Sequence, residues 1–442
     1  MNVSVCGPAS HAPENARVRR GLARAGQTLV LIVASLGAQA TAWAQQGVPL
    51  TLAHAEDLAL SAEPGQAAFA ARADALEERA VAAGELPDPK LRVGLVNFPL
   101  EAGGFTTEGM TQAQLGIRQA FPAGKTRALS TRQFRSLASE MDYNADARGR
   151  DVLTAVRNAW LDAYYWQRAQ TIVSESRPFF ADLVTVTKSL YAVGNKDQQD
   201  VLRAELELSR LDDRLIDIDR QRAQARGTLA RWVSDAASRT IAEKLPNWSS
   251  VPPRAALEAD LAGHPALEAA QAKVDARHAG IELANERYKP GWALDLGYGY
   301  RDGRLPNGDS RSDFISLGVT VDLPVFRKNR QDRSVAAALR ERRAALDTKE
   351  ELRRRLTSQL EVEYARWQDL NRRIDLYESQ ILAQAKDNAD AALSAYQSEA
   401  GDFAEVMRAY IDELNTRLEL TRLHTERAQS YAVLANLGGL AR

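Results

Sequence analysis

The chain has 442 residues with 57 basic and 58 acidic side chains and one cysteine, Cys6. A near-neutral balance lacks the basic footprint of a nucleic-acid binder, and a lone thiol excludes a disulfide framework or a cysteine metal cluster. The abundance of Ala, Leu, Arg, Glu, Asp and Gln, with only 7% aromatics, points to long helices rather than to two or three ordinary globular cores.

Residues 1–44 read as an export signal. Arg17, Arg19, Arg20 and Arg24 form a basic n-region, Leu29 to Ala34 an apolar stretch, and Ala42-Trp43-Ala44 a cleavage site. The apolar run is far shorter than the roughly 20 residues that span a bilayer. The mature chain is therefore expected to begin near Gln45. Cys6 leaves with the leader, and the remaining 53 basic and 57 acidic residues give a net charge of -4.

The rest of the chain is written twice. Pro64 and Pro265, and Pro89 and Pro290, stand 201 residues apart. Tyr191 and Tyr396, Asp197 and Asp402, Val201-Leu202-Arg203-Ala204 and Val406-Met407-Arg408-Ala409, and Leu229 and Leu434 match at a spacing of 205. This period is too long for a solenoid unit. It divides the chain into a first repeat over 45–233, a linker over 234–253 holding Pro246, Pro252 and Pro253 with Trp248, and a second repeat over 254–442. Each repeat predicts the order helix, strand, strand, helical hairpin.

Amphipathic helices are expected from about Leu52 to Ala83 and from Arg254 to Arg287. Two stretches of period two follow each of them, near 90–98 and 112–122 and near 291–301 and 313–325. Trp292, Leu294, Leu296, Tyr298 and Tyr300 alternate with Ala293, Asp295, Gly297, Gly299 and Arg301. Ile315, Leu317, Val319, Val321 and Leu323 alternate with Phe314, Ser316, Gly318, Thr320 and Asp322. The first repeat is weaker, with Leu91, Val93 and Leu95 set against Arg92, Gly94 and Val96, and Leu115, Ile117 and Phe121 against Gln114, Gly116, Arg118 and Ala120. About ten residues, apolar on one face and small or polar on the other, is the pattern of a tilted strand crossing an outer membrane. A half-buried soluble hairpin shows the same alternation. The polar, Gly-rich loops at 103–107 and 303–312 favour the barrel. Four strands cannot enclose a lumen, and open edges are forbidden in lipid, so several chains must pool their strands.

Each second strand ends at a proline, Pro122 or Pro324, and a long helical stretch follows. From Gln331 to Ala400 there is neither Gly nor Pro, enough for one helix of roughly 105 Å at 1.5 Å per residue. Leu360, Trp367, Ile374 and Ile381 repeat every seven residues, with Leu356, Leu370 and Tyr377 nearby, which keeps one seam facing a neighbour. The matching stretch from about Thr126 to Ala192 carries Val152, Ala159, Trp166, Val173 and Phe180. Pro178 within it predicts a kink or a break. Gly194-Asn195 and Ala400-Gly401 are the reversal signals. The returning helices carry Val201, Ala204, Leu208, Leu211, Leu215 and Ile218, and Met407, Ile411, Leu414 and Leu418.

No catalytic constellation emerges, so the expectation is that the protein is not an enzyme. His54, His264, His278 and His424 lie in unrelated segments, with no H-x-x-x-H pair, phosphate loop or G-x-S-x-G. No catalytic residue, no metal ligand set and no cofactor is therefore expected.

The signal, the duplication, the paired strands, the extreme helices and the motif Leu190-Tyr191-Ala192-Val193-Gly194 before Asp200-Val201-Leu202-Arg203-Ala204 resemble the TolC family of outer-membrane efflux proteins. The resemblance covers essentially the whole mature chain. It implies an α+β membrane protein, a homotrimer whose twelve strands close an outer-membrane β-barrel continued by an α-helical barrel across the periplasm. It also implies a passive exit duct in outer-membrane lipid, joined by a periplasmic adaptor to an inner-membrane pump of the resistance-nodulation-division type. In that reading Val193, Gly194, Asn195, Ala400 and Gly401 form the adaptor-docking tips. Asp197, Asp200, Asp402 and Glu405 line the periplasmic gate, with Arg203 and Arg408 as ion-pair partners. Asp197 and Asp402 are equally read as helix caps. The second tip departs from the family pattern in having Ala400-Gly401 for Val-Gly, and Arg408 stands where members often carry an acid. Phe121-Pro122-Ala123-Gly124-Lys125 resembles the heavy-metal branch and favours metal cations as cargo, while drug efflux and type I protein secretion remain open. A periplasmic coiled-coil adaptor or scaffold is the alternative from another class.

Overall fold

The structure, a computed structural model, describes residues 48–61, 63–398 and 400–440. The export signal lies outside the described residues. Helix α1 (Leu52–Ser61) and helix α2 (Pro64–Gly84) precede strands β1 (Lys90–Val96) and β2 (Gln112–Phe121). Helix α3 (Thr126–Ala192) and helix α4 (Gln198–Val233) form the first hairpin, and a short 3-10 turn over Ser234–Ser238 begins the connection. The second repeat has helices α5 (Arg254–Leu261) and α6 (Pro265–Glu286), strands β3 (Trp292–Tyr300) and β4 (Phe314–Val321), then helix α7 (Gln331–Leu376), a π turn (Tyr377–Ile381), helix α8 (Leu382–Gln397) and helix α9 (Phe403–Gly438).

The duplication is visible in the lengths. Helix α3 has 67 residues, and the second rod also runs 67 residues from Gln331 to Gln397. At 1.5 Å per residue each is about 100 Å long. The returning helices α4 and α9 have 36 residues each. Pro64 and Pro265 open equivalent helices, where the missing N–H is no loss, capped by the side chains of Glu63 and His264.

Two expectations for the rods are corrected. Of the kink or break predicted at Pro178, the break does not occur: helix α3 runs unbroken through it, because Val173 and Phe180 on either side are held in the core that the two hairpins share, and packing outweighs the lost hydrogen bond. The second rod is not one regular helix. Leu360, Trp367 and Ile374 are buried along the heptad seam, but Ile381 is not; burial resumes at Ala389 and Tyr396. Fifteen residues separate Ile374 from Ala389, one more than two heptads. The π turn at 377–381 absorbs that extra residue.

The core is a set of seams. Helices α1, α3 and α4 enclose Trp160, Leu161 and Leu229, with Leu50 pairing with Ile241 of the connection. Leu257, Leu360, Trp367 and Leu434 fill the corresponding seam of the second repeat. The connecting segment is bound across the rods: Trp248 stacks on Tyr431 with centroids 4.6 Å apart, and Arg157 lies over the Trp248 ring. Arg157 is itself paired to Glu56 at 2.6 Å, with both side chains almost wholly buried. Removing one partner strands the other charge in a medium of low polarity. We expect Glu56→Ala to cost about 3–5 kcal/mol in unfolding experiments, whereas replacing both residues with apolar ones of similar volume costs far less.

The four strands form one antiparallel meander in the order β1-β2-β3-β4, so the two repeats share a sheet. Both outer edges, β1 and β4, have no strand partner within the described residues.

Candidate functional site

The register sorts the sheet into two faces. Val93, Leu115, Tyr298 and Ile315 lie in one cross-strand row, and Leu91, Ile117, Leu296 and Leu317 in the next. These residues are 45–79% exposed. Aromatics mark both ends of the apolar face, with Phe121 stacked on Trp292 at 4.1 Å between centroids, and Tyr298 and Tyr300 up to eight residues along the strand. That span is about 26 Å along the strand at 3.3 Å per residue, or about 20 Å of height at a tilt of about 40°, most of the roughly 25 Å lipid-facing band of an outer-membrane barrel with its aromatic girdles. Among the described residues no helix is long and apolar enough to cross a membrane.

The opposite face is small or charged. Arg92, Gly116, Gly297 and Ser316 form one row, and Lys90, Arg118, Asp295 and Gly318 another. Arg118 and Asp295 approach to 3.8 Å, and Asp295 accepts a hydrogen bond from the Thr320 hydroxyl.

At the far end of the rods the two hairpin tips pack together. The first turn closes with the N–H groups of Gly194 and Asn195 donating to the carbonyls of Tyr191 and Leu190, with Gly194 at φ +78, a conformation that favours glycine. The second turn is built differently. Ala400 and Gly401 both donate to the Ala395 carbonyl, and Gly401 lies so close to Ala395 that a Cβ would come within 3.1 Å of its backbone. Tyr396 and Phe403 are buried edge to face below this turn, and the Lys196 ammonium of the first tip sits 4.4 Å from the Tyr396 ring centre. Neither that cross-tip contact nor the Lys188–Glu205 ion pair at 2.7 Å, which joins the limbs of the first hairpin, is foreseen from the sequence. An aromatic a few residues before each reversal and a lysine just after the first are the only signals.

The acidic residues expected at the tips divide. Asp402 caps helix α9, its carboxylate accepting from the Ala404 N–H at 3.1 Å. Asp197 makes no such side-chain bond, and its backbone carbonyl accepts from the Asp200 N–H instead. Burial and then the Asp402 carboxylate push the Asp200 carboxyl above its usual range, against the pull of Lys196 and Arg203. The first and second tips thus place their acids within each other's field. Glu405 lies in the first turn of α9. The expected ion pairs of Asp200 with Arg203 and of Glu405 with Arg408 are not formed within this chain, where none of the observed salt bridges among described residues involves them. Arg203, Glu405 and Arg408 are all exposed instead. In the first turn of a helix the free N–H groups compete for a carboxylate, and an i,i+3 pair contributes only tenths of a kcal/mol. Among the described residues no group of three or more His, Cys, Asp or Glu could hold a metal ion.

Residues 256–440 match the sequence model of the family described as outer membrane efflux protein. A search of curated proteins finds no match. Among solved structures, the outer membrane protein VceC from Vibrio cholerae superposes with a TM-score of 0.74 at 19% identity, over 88% of this chain and 96% of that one. The CmeC outer membrane channel of Campylobacter jejuni gives 0.74 at 12% identity over 88% and 85%. The open state of the Neisseria gonorrhoeae MtrE outer membrane channel gives 0.69 at 16% over 88% and 88%. The match to the outer membrane efflux protein family thus lies in the second repeat, and nearly the whole chain has the fold of these outer-membrane channels.

Proposed function

We propose that three copies of this chain form a passive exit duct of a tripartite efflux pump. The observation that carries the reading is the sheet: four strands with one continuous apolar face, an opposite face of small and charged residues, and two open edges. Such a sheet is unstable in lipid unless β4 of one copy pairs with β1 of the next, because each unpaired backbone group there costs several kcal/mol. Three copies supply twelve strands, enough for a barrel with a lumen. The rods then continue the wall as a tunnel about 100 Å long.

The tips at Val193-Gly194-Asn195 and Ala400-Gly401 are the periplasmic entrance and the ends on which an adaptor docks, with a resistance-nodulation-division pump behind it. Asp200, Arg203, Glu405 and Arg408 hold the entrance closed through contacts between subunits, since they form no ion pair within one chain. Asp197 and Asp402 stand at the helix starts beside them. Adaptor contact moves the tips apart and solute diffuses outward, the pump supplying the energy. No bond is made or broken in this cycle, so it needs no catalytic residue, cofactor or resident metal. The protein purified from outer membranes in detergent is expected to run as a trimer and to conduct ions in a planar bilayer. A water-soluble monomer without conductance contradicts the reading.

A further inference from the structure

We propose that the barrel section of the duct is an anion-favouring filter, built by Lys90, Arg92 and Arg118, and that the solutes it passes best carry net negative charge. The proposal rests on the duct reading above and names its cargo class. It opposes the cation cargo suggested by the Phe121 to Lys125 segment.

The face on which these residues sit is fixed by the register. Lys90 is paired with Arg118, which is paired with Asp295, and Arg92 lies opposite Gly116. The other face carries the apolar rows, and a charged side chain at mid-membrane depth is costly on the lipid side, so the basic groups point into the lumen. Around them the face is floored with Gly116, Gly297, Gly318, Ala120 and Ala293. Long cationic side chains on a floor of glycine and alanine are the tallest features of the wall.

The charge is not balanced. Strands β1 and β2 contain no Asp or Glu. Asp295 is the one carboxylate in the rows of Lys90 and Arg92, and it is engaged by Arg118 and Thr320. Among the described residues neither Lys90 nor Arg92 has a carboxylate within salt-bridge distance. Where the sheet meets the rods, a cavity of about 530 Å³ is walled by Arg118, Arg287, Lys289 and Arg330, with Asp322 as its one carboxylate. Lys289 is neutralised by Glu286 at 2.6 Å, but Arg287 and Arg330 add to the excess. Threefold repetition sums these fields in a channel with low-dielectric walls. The duct then has acidic groups at its tips and a basic band where the barrel meets the rods, and once the tips part that band decides which ion passes.

The test is the reversal potential of the trimer in a planar bilayer under a tenfold potassium chloride gradient, at salt low enough for the field to reach across the lumen, about 10–30 Å between 0.1 and 0.01 M. Chloride is expected to permeate about twofold or more better than potassium. Lys90→Gln with Arg92→Gln should bring the ratio to one or below, and Asp295→Asn should raise it. If the double variant does not assemble, the single Asp295 variant carries the test. Potassium preference in the unaltered trimer, or a ratio that neither change moves, overturns the filter while leaving the duct intact. A trimer that inserts without conducting overturns the duct reading and the filter with it.

Discussion

Leu317→Arg should abolish assembly in the outer membrane, while Ser316→Arg, one residue earlier on the same strand, should be tolerated. Both residues lie mid-strand in β4 and both are exposed in the single chain, so a soluble hairpin would accept either change with little difference. Leu317 belongs to the apolar face beside Leu296, and Ser316 to the opposite face beside Gly297. An arginine on the lipid face at the bilayer midplane costs about 2–4 kcal/mol per strand, and a trimer bears it three times. On the lumen face the same side chain meets water and adds to the positive wall. Heat-resistant trimer in outer-membrane fractions reads the difference directly: a loss on the order of tenfold or more for the Leu317 variant, as about 2 kcal/mol implies, against little change for the Ser316 variant. Equal behaviour of the two would mean that the sheet does not face lipid.

Asp200→Ala combined with Glu405→Ala should make the duct leaky, with open probability in bilayers rising on the order of tenfold. Exposed ion pairs contribute at most about 1 kcal/mol each, and the effect is this large only because the trimer repeats them. The pH dependence follows from the position of Asp200. Its folded-state pKa is raised, by burial first and then by Asp402. Ionised Asp200 therefore costs the folded tip stability at neutral pH, and that cost is relieved as pH falls through the raised value. In the proposed gate the same protonation removes the charge that would hold Arg203 or Arg408 of a neighbouring copy. Leak through the unaltered protein should thus grow as the solution is acidified from neutrality toward about pH 4, the ordinary aspartate range, and the double variant should lack that dependence. A conductance that ignores both the substitutions and pH removes these residues from the gate.

What is legible in the sequence and what is not divides along a physical line. The alternation in the strands has period two, so the order of residues alone assigns Leu91 and Leu317 to one face and Arg92 and Ser316 to the other. Absence of Gly and Pro over 70 residues announces a rod, and the 201- and 205-residue spacings announce a second copy of it. The π turn is hidden because it answers a phase error that accumulates along the seam and appears only when Ile381 fails to bury. Pro178 does not end its helix because local propensity yields to packing on both sides. Contacts between distant segments, such as Lys196 on Tyr396 or Glu56 with Arg157, leave no local pattern. The tip acids are visible, but the sequence points to partners within the same helix, where i,i+3 spacing invites a pair that competition from the helix terminus does not allow.

The pooling of strands between copies is tested most directly by thiol cross-linking. With Cys6, the one cysteine of the sequence, replaced by Ser, Val93→Cys on β1 is combined in turn with Ile315→Cys, Leu317→Cys or Val319→Cys on β4, all on the apolar face. Within one chain these strands are separated by two others, about 14 Å at 4.8 Å per step, well beyond the reach of a disulfide. Oxidation of outer membranes should give a covalent trimer on a denaturing gel for at least one of the three pairs. A chain that remains monomeric with all three pairs, while recovered folded from the membrane, would show that neighbouring copies do not complete the barrel.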